Sequence, residues 1–486
     1  MKFVAFLCLV LSAVPLAAQE KSGMLEGTII TRNAPRNELV VRHSAVKGIM
    51  GAMTMTYTVR GQEVSSLPKD GTMITATLHD SDGTYWLTDV KPAMQHATHG
   101  SAMGAMPMMK TDATSDLLMR QASGTGMNPA AAPQHMTMTE YRDWMLMLHG
   151  QAFVNQVVQS GPRGGDKFFS TNWIMGMADR PLAGGHLMLR SMLSLEPATV
   201  GKKYPELFQT GEAIGNRPII DAQHPHDFFM ELAAEYARPI ADQTIGYLYL
   251  APMGDPALGP VAFPHRASAS EIPQATLSHH VQDSTHIAGS VITIGAQRGE
   301  FGLGLSGFHG REPDDKRWDL DTGRIDSWSA RFTWDPTPNW SAQISTGHLK
   351  HPEQLEPGNI QRTTASVAYS AGHWNSSLIF GHNDKSEGPS TSAWTAETVF
   401  QFQDRNYITG RAETVDKDEL GIDGVFRIKA LTLGYSRDVL SMYGVLGAVG
   451  GNFTSYSVPA TLRPFYGSNP HAIYVFLRLR GAGSGM

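Results

Sequence analysis

The chain is predicted to be all-β: a small five-stranded OB-like barrel, a flexible Met/His-rich linker, then a transmembrane antiparallel β-barrel of about 16 strands. Three observations predict this. Glycine is abundant (49 residues) and charge is sparse (17%), which suits sheets better than helices. Residues 20–94 alternate apolar and polar in short runs divided by turn chemistry. Residues 141–486 carry longer alternating runs, and the connections between them switch between short and long, the rhythm of an outer-membrane barrel.

The first nineteen residues read as a secretory signal peptide. Lys2 supplies the positive end, Phe3 to Val14 the apolar stretch, and Pro15-Leu16-Ala17-Ala18-Gln19 a small-residue cleavage zone. The apolar stretch is shorter than the roughly 20 residues a spanning helix needs. Cys8, the only cysteine, lies inside this leader. The expected mature chain is therefore exported and thiol-free, as suits an oxidising compartment.

The domain over 20–94 is read from five runs: Met24–Asn33, Glu38–Val46, Met53–Arg60, Met73–Asp80 and Thr84–Lys91. Asn33-Ala34-Pro35, Pro68-Lys69-Asp70-Gly71 and Asp80-Ser81-Asp82-Gly83 supply turns between them. Five strands in so short a stretch fit a closed or nearly closed small barrel. Residues 95–140 show no useful periodicity and are rich in Ala, Gly, Ser, Thr, Met and His, the composition of a mobile linker.

Sixteen strand-like runs follow, from 144–158 to 472–480. Short turns such as Arg298-Gly299-Glu300 and Ala371-Gly372-His373 alternate with longer polar loops such as 197–226 and 252–285. Trp328, Ala330, Phe332 and Trp334 share one face of their strand, and Ser329, Arg331 and Thr333 share the other. Trp394, Ala396 and Phe400 likewise oppose Thr395, Glu397 and Gln401. In lipid every backbone polar group must be paired within the protein, so such a sheet must close. Arg331, Glu397, Arg411, Glu413, Arg427 and Lys429 are expected to face a wet lumen of mixed charge.

Function is signalled by sulfur. Of 25 methionines, 15 lie between Met50 and Met147, about three times an even spread. His43, Met50, Met53 and Met55 form a compact cluster, and His96, His99, Met103, Met106, Met108 and Met109 extend the same donor set into the linker. His135, Met136 and Met138 add another copy. Thioethers and imidazoles without thiols suit Cu(I), with Ag(I) as its chemical equivalent. Met53 and Met55 are two apart on a strand and project from one face, where His43 on the preceding strand can meet them. Methionines filling a small core would read similarly, but would not explain the histidine on the same side.

The stretch from Val40-Val41-Arg42-His43 to Met50-Gly51-Ala52-Met53-Thr54-Met55 resembles the periplasmic copper-binding domains typified by the small chaperone of the Cus efflux system. The resemblance implies an OB-like barrel that binds Cu(I) or Ag(I) through His43, Met53 and Met55. Met50 stands where that family has a tryptophan that caps the ion, and the gap back to His43 is one residue shorter. A third thioether then takes the place of the cap; Trp86 is an alternative that no motif supports. In outline the chain is also similar to copper-resistance outer-membrane proteins, whose Met/His-rich N-terminal region precedes a barrel.

In the second part, Asp221-Ala222-Gln223-His224-Pro225-His226-Asp227 and His279-His280-x5-His286 lie in or beside the two longest loops. The Asp-flanked pair His224 and His226 could bind a divalent ion such as Cu(II) or Zn(II), while loop histidines are more often plain polar surface. Ser278 beside His279 does not make a hydrolase, since no Gly-x-Ser-x-Gly elbow is present. A net charge of -6 without basic tracts argues against nucleic acid. The expected protein is a non-enzymatic outer-membrane barrel with a periplasmic Cu(I)/Ag(I)-binding module, acting in copper binding, tolerance or export. Its expected partners are outer-membrane lipid, soft metal ions and periplasmic copper donors or acceptors. The alternatives are a general porin or receptor with a separate metal buffer, and an outer-membrane enzyme.

Overall fold

The computed structural model describes residues 21–44, 46, 49–50, 53–81, 84–93, 113–283, 288–442 and 444–482. The leader, and His96, His99, Met103, Met106, Met108, Met109 and His286, lie outside the described residues. Two compact units are present, an N-terminal one and a larger one over the remainder.

In the N-terminal unit, strands Lys21–Asn33, Glu38–His43, Met53–Val59, Met73–Ser81 and Thr84–Pro92 close into a barrel. All pairings are antiparallel except that between Met53–Val59 and Thr84–Pro92. The first strand is long enough to serve two neighbours, pairing through Lys21–Thr28 with one and Gly27–Asn33 with the other. A register slip between Ile29 and Thr31 bends it between these duties. Apolar residues at period two point inward, and Leu25, Ile29, Leu39, Val41, Tyr57, Ile74, Leu78 and Leu87 are wholly buried. Each such side chain contributes about 1.5–3 kcal/mol of transfer free energy.

The second unit is a closed antiparallel barrel of sixteen strands, running from Trp144–Gln159 to His471–Gly481. Each of the sixteen runs read from the sequence is one of these strands. Closure comes from pairing of the last strand with the first, from Ala472 opposite Gln159 to Arg480 opposite Gln151.

Side-chain alternation separates the two walls. Trp328, Phe332 and Trp334 stand exposed on the outside, while Ser329, Arg331 and Thr333 are buried inside. Leu303, Leu305, Ile344, Leu378, Ile408, Leu431 and Leu433 make the outer surface apolar. Phe301, Trp334, Trp340, Tyr369, Trp374 and Phe400 gather at the strand ends joined by short turns, with Trp340 and Tyr369 ring centroids 4.7 Å apart. Trp328, Phe380 and Trp394 lie toward the other end. An apolar band between two aromatic belts is the surface that a lipid bilayer matches.

Of the charges expected in the lumen, Arg331, Glu397, Arg411 and Glu413 are buried inside. Arg427 and Lys429 are not: they point outward, because Ile428 and Ala430 take the inward positions of that strand and pack in an apolar cluster with Phe208 and Tyr456. Arg427 instead pairs with Asp416, Nε to Oδ1 at 2.6 Å, near the strand's start.

Three stretches of chain fill the bore. The hairpin Tyr204–Ile214 and Arg217–Gln223 enters from one loop. A second loop, 254–283, crosses to the far wall, where Arg266 Nε meets Glu397 Oε2 at 2.9 Å and the Leu277 amide donates to Glu413 Oε1 at 2.8 Å. Glu271 on the same loop pairs with Arg478 and Arg480. Such enclosed pairs cost much desolvation and hold only because each charge is partnered.

The third stretch revises the expected linker. Residues 113–140 belong to the barrel unit, so this part of the linker expected over 95–140 is built into the barrel instead. Helix Ala113–Arg120 buries Leu117 and Leu118, and Ser115 Oγ donates to Asp179 Oδ2 at 3.1 Å. Gln121 Nε2 donates to Glu235 Oε1 at 2.9 Å, and Arg331 Nη2 donates to Thr125 Oγ1 at 2.7 Å. Met136–Tyr141 then forms a hairpin with the start of Trp144–Gln159.

Candidate metal centre

His43 ends its strand directly opposite Met53, and Val41 lies opposite Met55. Period-two alternation therefore sends Met55, Tyr57 and Val59 to one face of their strand, and Tyr57 and Val59 are buried there. The His43 ring is buried too, and its Nδ1–H donates to the Ser44 carbonyl at 2.7 Å. That bond fixes the tautomer and leaves the Nε2 lone pair directed inward. Burial lowers the His43 pKa, so the ring stays neutral at neutral pH.

Nε2 of His43 meets the hydroxyl of Tyr57, and the same hydroxyl lies 3.1 Å from Met50 Sδ. Met50 is held by an isolated bridge to Val46 and is buried in the barrel core. One phenol thus gathers an imidazole nitrogen and a thioether sulfur at a single buried point. Burial raises the Tyr57 pKa far above its usual value, so the hydroxyl keeps its proton. Met55 is partly buried against the same core. The Met53 backbone lies opposite His43, and its side chain is outside the described residues.

Trp86 does not cap this point. Its neighbour Leu87 takes the inward position, and Trp86 lies on the other face, stacked on His79 at 5.2 Å and under the Arg60 guanidinium at 3.8 Å. Tyr57 is not among the residues the sequence pattern singles out. Its signal was there: it follows Met53 and Met55 at the same period of two.

In the second unit, Met136 and Met138 join a wall of methionines inside the barrel. The strand register places Met136, His149, Met175 and Met192 in one cross-strand row. Met138, Met147, Met177 and Arg190 form the next, and Met145, Asp179 and Met188 the third. Met136, Met147, Met175, Met177, Met188 and Met192 are buried, packed with Leu118 of the internal helix. His265 Nε2 reaches Met192 Sδ at 3.1 Å. His135 is half-buried and precedes this wall.

His224 and His226 part company. His226 turns to Glu196, Nδ1 to Oε2 at 3.0 Å; burial pushes its pKa down and Glu196 more than offsets this, leaving it raised. His224 instead joins His279 and His280, and the three rings offer ligand atoms within 4.8 Å of one another. Burial pushes the His224 pKa well down, so this ring is a neutral donor.

Comparison with known proteins places the N-terminal barrel. Residues 22–92 match the family described as "Copper binding periplasmic protein CusF". No curated protein matches the chain. Among solved structures, the Salmonella typhi OmpF complex with daunomycin is similar at 10% identity, covering 71% of this chain and 100% of that one with a TM-score of 0.47. An anion-selective porin from Comamonas acidovorans is similar at 10% identity, covering 69% and 99% with a TM-score of 0.45. Residues 22–92 are thus a CusF-type domain, carried by a chain whose remainder builds a sixteen-strand barrel.

Proposed function

We propose that this protein is an outer-membrane copper-handling protein whose N-terminal domain captures Cu(I), or Ag(I), on the periplasmic side. His43, Met53 and Met55 are the ligands, with Met50 as a further thioether. The observation that carries this reading is the meeting of His43 Nε2 and Met50 Sδ at the Tyr57 hydroxyl. A neutral imidazole and thioethers, with no carboxylate among them, select a soft monovalent ion over Zn(II) or Ca(II). The ion is read as cargo rather than a resident group: without it, the Tyr57 hydroxyl satisfies the His43 Nε2 lone pair and lies against Met50 Sδ.

The role we assign is copper tolerance, by sequestration or by passage through the barrel. Soft donors recur inside the barrel, which supports the reading: the methionine wall repeats the thioether chemistry of the N-terminal domain. A general porin fits less well, because residues 113–134, 204–223 and 254–283 occupy the bore. We read the protein as non-enzymatic.

The test is a competition titration of residues 20–95 with Cu(I), Ag(I), Cu(II) and Zn(II). One tightly held Cu(I) or Ag(I) and weak binding of the divalent ions is the expected result. Preference for Zn(II), or no Cu(I) binding, would overturn the assignment. In cells, removing residues 20–93 should lower copper tolerance while the barrel is still assembled.

A further inference from the structure

Inside the barrel, three imidazoles and two carboxylates converge from four separate stretches of chain. His224 follows strand Arg217–Gln223, and His279 and His280 open the short helix His279–Gln282 of the crossing loop. Glu212 comes from the other strand of the entering hairpin, and Glu312 from the loop after strand Phe301–His309. All five are buried or nearly so. The His279 and His280 ring centroids are 4.1 Å apart, with His224 at 6.0 and 5.8 Å from them.

We propose that His224, His279 and His280, with Glu212 and Glu312, form a binding site for one divalent first-row transition-metal ion, Cu(II) by affinity order. The site is distinct from the soft Cu(I) site of the N-terminal domain and stands whether or not that domain binds copper.

Four features support it. The three ligand atoms lie within 4.8 Å of one another, close enough for small side-chain shifts to bring them onto a single ion. His224 Nε2 lies 3.1 Å from Glu212 Oε1, and His280 Nδ1 lies 3.3 Å from Glu312 Oε1. These are also the separations of adjacent ligands whose bonds to a metal are about 2 Å.

Outer partners already fix the rings. His224 Nδ1–H donates to the Pro225 carbonyl at 2.9 Å, and His279 Nε2–H donates to Gln223 Oε1 at 3.1 Å. Each bond commits one nitrogen, as partners of metal-bound histidines do, and the other nitrogen of His224 faces Glu212. Arg362 holds the backbone beneath, Nη2 to the His280 carbonyl at 2.5 Å and Nη1 to the Asp283 carbonyl at 2.7 Å.

The local charge asks for a cation. Glu212, Glu312 and Asp227 are buried together, and the ion pairs of Arg317 among the described residues are to Glu212 and Asp227. Glu312 Oε2 is buried without a hydrogen-bond partner, which is costly unless something positive or donating sits against it.

The backbone is bent to build the cluster. Gly211 has φ +108°, and a Cβ there would lie 2.5 Å from the His280 ring. Glu212 follows with φ +57°, a left-handed conformation uncommon outside glycine. The strained pair brings hairpin backbone against His280 and the Glu212 carboxylate against His224.

The experiment uses the purified full chain in detergent with Cu(II) alone as probe, read by electron paramagnetic resonance and by thermal unfolding. One Cu(II) per chain with several imidazole nitrogens, and a raised melting temperature, are expected. His279→Gln/His280→Gln should weaken that binding by more than about 100-fold, beyond the 10–100-fold of outer partners. His226→Gln, outside the cluster, should leave it intact. Since a double variant can misfold, His224→Gln is tested beside it, and each must keep the gel mobility of the folded barrel. Retained imidazole-bound Cu(II) in folded His224→Gln and in the folded double variant would overturn the site, as would its absence from the unmodified chain.

Discussion

The Tyr57 hydroxyl and Met50 Sδ are 3.1 Å apart, and the same hydroxyl also meets His43 Nε2. The single phenol proton can sit on only one of these lone pairs at a time, so the phenol competes with a soft ion for one donor and crowds the other. Tyr57→Phe removes the competitor while keeping the ring in the core. The unloaded domain loses about 1 kcal/mol of hydrogen bonding that the loaded domain never had. Cu(I) affinity should rise about fivefold, measured against a Cu(I) chelator; a fall would mean that the hydroxyl serves the ion instead.

Met50→Leu changes a thioether to a hydrocarbon of similar volume. Such swaps usually cost under about 1.5 kcal/mol in a core. Cu(I) affinity should drop at least about tenfold, while the melting temperature of the unloaded domain moves little. Equal affinity in the variant would remove Met50 from the ligand set.

The lowered pKa of His43 makes the N-terminal domain sensitive to acid. In the unfolded chain the ring takes a proton near its ordinary value of 6.5; in the folded domain burial delays this. Above that value both states are neutral and stability is at its full level. As pH falls below it, only the unfolded chain gains the proton, and stability is lost until the folded pKa is passed. Unfolding of residues 20–95 followed from pH 8 to pH 5 should show this decline, and His43→Gln should flatten it.

Glu397 ties the crossing loop to the wall through Arg266 and to its own sheet through Arg411, both at 2.9 Å. Glu397→Gln takes the carboxylate partner from Arg411 and leaves Arg266 paired with Asp283 alone. Removing one partner of a buried pair costs about 3–5 kcal/mol. Residues 254–283 should then become accessible to protease at temperatures where the unmodified barrel resists; an unchanged digestion pattern would show that the loop is held without this pairing.

Removing residues 20–93 should leave the barrel's thermal stability nearly unaltered. Removing residues 20–134 should lower it strongly, because helix Ala113–Arg120 covers the methionine wall and Gln121 partners Glu235. Heat-modified gel mobility of the two truncated chains separates these outcomes.

The barrel strands were legible because each repeats an apolar outer face at period two and ends in recognisable turns. Trp328, Phe332 and Trp334 state the phase of their strand without help from tertiary structure. Arg427 and Lys429 misled because that strand starts where lipid no longer forbids outward charge, so the basic positions carried no information about facing. The segment 113–134 was illegible for another reason: its one helix spans eight residues, too few for a periodic pattern, and its burial comes from walls made elsewhere in the chain. His43, Met50 and Met55 could be read because they are local. The approach of His224 to His279 and His280 could not, since two loops over fifty residues apart must first enter the same bore.

The strand Trp144–Gln159 is shared by two partners: His471–Gly481 covers Gln151–Gln159, and Met136–Tyr141 covers Trp144–His149. The second pairing is a hairpin between sequence neighbours, so it can form early and at small entropic cost. Until the final strand arrives, it already shields the first six residues of an edge that would otherwise recruit a second chain. The short strand before the barrel thus acts as a built-in guard against misassembly, and losing it should favour aggregation over closure.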